Sequence, residues 1–217
     1  MLKKKQKRLF LTGVILLVAF VLWTAFVCFI DFQAIGPRES SVGFATLNEY
    51  VHSLTGVNMS LYVITDCLSL VPIGIAFGFA ILGVVQLVVR KSLFKVDQDI
   101  IILGGFYIVV IAVYILFEVV VINYRPTLID GHLEASYPSS TTTLVMCVMP
   151  TAVMQLRTRI KNDIFRWSVI VVIFVFTAFM VIGRLVSGVH WITDIIGGAL
   201  FSAGVVMIYT SICDMLK

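Results

Sequence analysis

Six apolar stretches, at residues 9–30, 61–89, 99–122, 141–156, 167–186 and 190–212, decide what this chain can fold into. A helix needs about 20 apolar residues to cross a hydrocarbon core of about 30 Å, and five of the six reach that length. Lipid has to be the solvent for most of the surface. Of the 217 residues 60% are hydrophobic and 13% charged, against about 25% charged in soluble globular domains, and the mean hydropathy is +1.06. The expected fold is all-α, a polytopic six-transmembrane-helix bundle, with residues 1–217 forming a single membrane-embedded domain. The stretch 141–156 is short and rich in Thr, which a bundle tolerates where a helix is enclosed by protein and its end lines a site.

Two further segments complete the outline. Between the first two stretches, Val42, Leu47, Val51 and Leu54, with Phe44 nearby, recur at helical spacing and predict a short amphipathic interfacial helix. At the start, MLKKKQKR runs into about 22 apolar residues with no small-x-small cleavage site; this reads as a retained signal anchor rather than a signal peptide. Cys28, Cys67, Cys147 and Cys213 lie in or at the ends of apolar segments without CxxC spacing, as packing residues do.

The distribution of charge sets an orientation. With the N-terminus in the cytoplasm, 13 of the 16 Lys and Arg fall inside: Lys3, Lys4, Lys5, Lys7, Arg8, Arg90, Lys91, Lys95, Arg157, Arg159, Lys161, Arg166 and Lys217. Every loop then obeys the positive-inside rule, with both termini cytoplasmic in the cell (inner) membrane. The net charge of +4 is accounted for in this way, and no nucleic-acid partner is expected. Arg38, Arg125 and Arg184 are left outside. The last two end apolar helices, where a charge either snorkels to headgroups or serves a site.

Three clusters carry polar chemistry. The first is Glu118-VVVINY-Arg125-Pro126, where Pro126 disfavours helix at Arg125 and turns the guanidinium into a loop. In the second, Pro138, Ser139, Ser140 and Thr141 lead into the fourth stretch, a helix N-terminus suited to an anion. The third is Gly183-Arg184-LVSGV-His190-WIT-Asp194. On a helix His190 and Asp194 share a face, so the carboxylate can hold one imidazole nitrogen and leave the other as nucleophile or base. Arg184 offers a planar fork to phosphate oxygens.

In order and spacing these clusters resemble the type-2 phosphatidic-acid phosphatase family, whose pattern is K-x6-RP, PSGH and SR-x5-H-x3-D. The match falls on Arg125 and Pro126, on Pro138 and Ser139, and on Arg184, His190 and Asp194. The resemblance implies an extracytoplasmic lipid phosphatase or diphosphatase that needs no metal or cofactor. His190 would form a phosphohistidine and Asp194 would orient it. Arg125, Arg184, Ser139 and the backbone near Ser140 would hold the phosphate oxygens. Membrane lipids and a lipid phosphate or isoprenoid diphosphate would be its partners.

This chain also departs from the pattern. Glu118 stands at the family's Lys, Gly183 at the Ser of the third motif, Ser140 at the Gly of the second, and Thr141 at its His, the general acid. A hydroxyl is a poor proton donor, and losing the acid costs on the order of 10²–10⁴ in rate when the leaving group needs a proton. Three readings stay open: a diphosphate substrate, whose leaving group needs none; a substitute acid among His132, Asp130 and Glu134; or a weakened member that binds lipid phosphate without rapid turnover. A transporter fits less well, since Asp66 and Glu118 are the only acidic hints within its helices. The sequence reads Asp66 as a helix-cap charge and Glu118 as a partner for Arg125.

Overall fold

The computed structural model describes residues 2–216; Met1 and Lys217, the last of the basic residues assigned to the inner side, lie outside them. Among the described residues there are eight α-helices: α1 (Leu2–Phe29), α2 (Ala45–Thr55), α3 (Met59–Leu68), α4 (Leu70–Arg90), α5 (Gln98–Val119), α6 (Ser140–Arg159), α7 (Asp163–Val186) and α8 (Ile192–Met215). Helix is the dictated answer for such apolar segments, because it satisfies every backbone N–H and C=O within the segment. The protein is a multi-pass, all-helical membrane protein.

Among the described residues five segments are long and apolar enough to cross a membrane: α1, the combined α3–α4 segment Met59–Arg90, α5, α7 and α8. Their outward faces carry exposed Ile15, Val18, Val84, Val88, Ile111 and Val172, a surface made for lipid. The stretch expected at 141–156 is the 20-residue α6, about 30 Å long at 1.5 Å per residue, but it is not apolar enough to stand among those five. Its position explains this. α6 packs against α4, α5, α7 and α8, and Thr141, Thr142, Thr143, Thr151 and Gln155 are all buried within it.

The second expected span is interrupted. Ser69 joins α3 to α4, and Pro72 three residues later has no N–H to give to the carbonyl one turn back. The interfacial helix exists as α2, but with its faces arranged differently from the sequence reading. Its buried residues are Ala45 and Asn48; Asn48 donates to Gly43 O (2.8 Å) and Thr193 Oγ1 (3.0 Å). Leu47, Tyr50 and Leu54 point outward. A polar anchor onto the start of α8 thus leaves the apolar side of α2 free.

α1 and α8 form the most extensive helix pair. Gln6 Nε2 donates to Asp214 O (2.5 Å) and Ser211 donates to Gln6 O (2.8 Å) at one end; Trp23 Nε1 donates to Thr193 O (3.1 Å) near the other. Between them Phe20 packs with Phe117, Tyr137 and Phe201. The end that carries Arg90 and Arg159 is closed by ion pairs to Asp97 and Asp99.

Candidate active site

At the opposite end of the bundle a hairpin, two short connections and three helix termini converge. The hairpin follows α5. Isolated bridges pair Tyr124 with Ala135 and Ile129 with His132, and the tip turns through Asp130 and Gly131 at φ 48° and 80°. Arg38 Nη2 holds the tip through Gly131 O (2.9 Å), and Trp191 Nε1 holds the base through Tyr124 O (2.8 Å). Arg125 therefore leaves one strand of the base, with Glu134 and Ser136 on the other. Its Nε lies 3.1 Å from Glu134 Oε2. Glu134, not Glu118, is the carboxylate paired with Arg125; Glu118 lines the cavity described below.

Arg184 ends α7 at 2% exposure. Its Nη2 donates to Asp66 Oδ1 (2.8 Å) and to Thr141 Oγ1 (2.5 Å). Asp66 is thus an ion-pair partner in α3 rather than a helix-cap charge. Tyr62, one turn earlier, has its ring 4.9 Å from the Arg184 guanidinium carbon and 5.8 Å from that of Arg125. α3 comes this close because residue 183 is glycine: a Cβ there would meet Thr65 Cγ2 at 2.8 Å. A serine at this position, as in the family pattern, would press against α3.

The chain leaves α7 through Ser187 and Gly188. Gly188 sits at φ +66°, and a Cβ on it would lie 1.7 Å from Gly56 O, so only glycine makes this turn. His190 follows in the connection, outside both helices and 3% exposed. Its Nδ1 is 3.1 Å from Ser136 Oγ and 3.6 Å from Asp194 Oδ2, the latter beyond hydrogen-bond length. Asp194 Oδ2 accepts from Ser136 Oγ and from Trp191 N (2.9 Å). The His–Asp pair expected to share a helix face instead straddles the start of α8 with a serine between the side chains. Burial pushes His190 down to about 4, against the pull of Asp194, and the Arg125 and Arg184 charges push the same way.

A cavity of about 390 Å³ opens beside these groups, lined by Asp66, Tyr114, Glu118, Arg125, Ser136, Ser140, Thr141 and Arg184 at its polar end and by Ile73, Val110, Ile111 and Phe117 along its apolar wall. Ser139 is not in the wall; it caps α6 by accepting from Thr142 N (3.4 Å) and binds Asp194 O through its own N–H (3.1 Å). His190 stands behind the wall, reaching it through Ser136. His132 and Asp130 sit on the exposed hairpin tip, outside the cavity lining. Among the described residues several buried atoms here have no partner: Nη1 of Arg125, Nε and Nη1 of Arg184, and Nε2 of His190. Among the described residues no group of three or more His, Cys, Asp or Glu is placed to hold a metal ion.

The spacing of the motifs located Arg125, Arg184, His190 and Asp194. It gave no hint of Tyr62, and for Ser136 no more than its place two residues ahead of Pro138. Residues 119–216, which hold all three clusters except Glu118, match the model of the PAP2 superfamily. The fold is similar to that of a transmembrane PAP2-type phosphatidylglycerolphosphate phosphatase from Bacillus subtilis, with a TM-score of 0.59 and 18% identity over 94% of this chain and 97% of that one. No curated protein matches the sequence. The part of the chain that carries the motifs is thus similar to the PAP2 superfamily, and the fold of the whole agrees with that likeness.

Proposed function

We propose that this protein is a lipid phosphatase or diphosphatase whose His190 forms a phosphohistidine at the extracytoplasmic face. α6 counts as the sixth span in this reading and both termini are cytoplasmic. The observation that carries it is the set of buried, unpartnered nitrogens on Arg125, Arg184 and His190. Buried donors without partners cost about 1–3 kcal/mol each, and a phosphoryl group, with three oxygens for the guanidinium donors and an electrophilic phosphorus for Nε2, satisfies all of them. Phosphoryl transfer asks the protein mainly for positioning and fixed positive charge. The roles then follow: Arg125 and Arg184 clamp the oxygens, the N-terminus of α6 at Ser139 and Ser140 adds its dipole, and Asp194 orients His190. The apolar wall of Ile73, Val110 and Ile111 suits a lipid tail.

Thr141 occupies the position of the family's acid and is engaged as an acceptor for Arg184. A substrate whose leaving group needs no proton, such as undecaprenyl diphosphate, fits that arrangement best. The test is phosphate release from undecaprenyl diphosphate, its monophosphate, phosphatidic acid and phosphatidylglycerophosphate by purified protein. Release from the diphosphate, abolished in His190→Ala, is expected. No release from any of the four, with His190→Ala silent in cells, would remove the reading.

A second reading is a member that binds lipid phosphate with little turnover, favoured by the commitment of Thr141 to Arg184 and by the position of His190 behind the cavity wall. Thr141→His separates the two. A large gain in turnover marks a weakened phosphatase, and no gain marks chemistry that never used that position.

A further inference from the structure

We propose that Ser136 is the positioning residue of this site, its hydroxyl fixing the His190 imidazole as the tautomer with hydrogen on Nδ1, so that Asp194 acts on the nucleophile through the serine rather than directly. The inference rests on the reading of His190 as nucleophile and adds how its free nitrogen is selected. Asp194 Oδ2 lies 3.6 Å from Nδ1, too far for a hydrogen bond, whereas Ser136 Oγ contacts both groups.

The direction of each bond follows from counting protons. A carboxylate only accepts, and a serine hydroxyl has one proton to give. Oδ2 already accepts from the Trp191 N–H at 2.9 Å, and its contact with Ser136 Oγ is the shorter of the two that the hydroxyl makes. The serine proton therefore goes to Asp194, and a lone pair of Oγ faces Nδ1. The 3.1 Å contact is then a hydrogen bond only if Nδ1 carries the imidazole proton. Nε2 is left with its lone pair, buried and unpartnered.

The same relay serves the covalent step. As Nε2 bonds to phosphorus, the P–O bond to the leaving group breaks and its electron pair departs with that oxygen. The imidazole becomes cationic while keeping its Nδ1 proton, and the Asp194 charge is presented to it across the Ser136 hydroxyl. Attack of water on phosphorus then breaks the N–P bond and returns the lone pair to Nε2, with the water proton passing to solvent. Ser136 is held at the hairpin base by its N–H to Asn123 O (2.9 Å). The hairpin that carries Arg125 therefore also sets the nucleophile.

Nitrogen NMR of the full chain in lipid nanodiscs, with labelled histidine and His190 assigned by His190→Gln, reads the tautomer without any substrate. Wild type is expected to show hydrogen on Nδ1, and Ser136→Ala a mixture of tautomers. Hydrogen on Nε2 in wild type, or an unchanged tautomer in Ser136→Ala, overturns the proposal. In rapid-quench trapping with labelled undecaprenyl diphosphate and phosphatidic acid, Ser136→Ala should slow phosphohistidine formation on the order of 10-fold, the equivalent of one lost hydrogen bond, with substrate affinity unchanged. An unchanged rate overturns the proposal as well. Absence of phosphohistidine in wild type defeats the nucleophile reading instead, and the tautomer measurement then still decides the role of Ser136.

Discussion

Arg184 donates from Nη2 to the Thr141 hydroxyl at 2.5 Å, joining the last turn of α7 to the first turn of α6 at the position where the family pattern has its acid. The same nitrogen reaches Asp66 Oδ1 at 2.8 Å. One edge of a nearly fully buried guanidinium is thereby fixed, while Nε and Nη1 remain unpartnered. On the proposed reading Thr141 belongs to the phosphate clamp, and its substitution should act on binding more than on proton transfer. Thr141→Val keeps the shape and removes the acceptor. A rise in KM of roughly 10-fold, with a smaller change in kcat, is expected from a hydrogen bond to a charged group. Steady-state kinetics in detergent or nanodiscs checks it.

Arg184→Lys should be far from conservative. An ammonium is a single point and cannot hold Thr141 and Asp66 with one nitrogen while offering two others to phosphate. Loss of on the order of 100-fold in kcat/KM is expected. A variant within about 3-fold of wild type would show that the fork geometry is not used.

Gly188 makes the turn that delivers His190. Gly188→Ala places a methyl against Gly56 O, 1.7 Å from the ideal Cβ position, at φ +66°. A destabilisation of about 2–4 kcal/mol is expected, seen as a lower thermal midpoint in detergent, with activity lost in parallel. Because the contact is backbone to backbone, no side-chain rotation relieves it.

The pH dependence has a definite sign. His190 is lowered to about 4 from the ordinary 6.5, chiefly by burial. The unfolded chain takes up this proton first as pH falls, so the stability contributed by neutral His190 is complete above about 6.5 and is lost as pH falls towards 4. Wild type should lose stability across that window relative to His190→Gln, whose own profile lacks this component. The acid limb of kcat/KM, which reports the free enzyme, should lie near 4 rather than 6.5. Thermal unfolding and initial rates across the same buffers measure both.

Much of this was legible in the residues. The apolar stretches map onto α1, α3–α4, α5, α6, α7 and α8 with ends shifted by a few residues, because hydrophobic length is read directly in a membrane. Arg184, His190 and Asp194 were legible because they lie within one helix end and the next helix start, where sequence spacing is spatial spacing. Asp66, Tyr62 and Ser136 were not. Asp66 and Tyr62 depend on the close approach of α3 at Gly183, and Ser136 depends on closure of the hairpin onto α8 through Trp191. The inward Asn48 on α2 was hidden for a related reason: an apolar stripe does not reveal which side of a short helix finds a hydrogen-bonding partner.

The most direct test of the central claim is rapid-quench trapping of the protein during turnover of radiolabelled lipid diphosphate and monophosphate, followed by mapping of the labelled residue. Acid-labile, alkali-stable label on His190, absent from His190→Ala and reduced in Arg125→Ala and Arg184→Ala, is the expected result. Phosphate release that continues in His190→Ala, or label on any other residue, would contradict the assignment of His190 as the nucleophile.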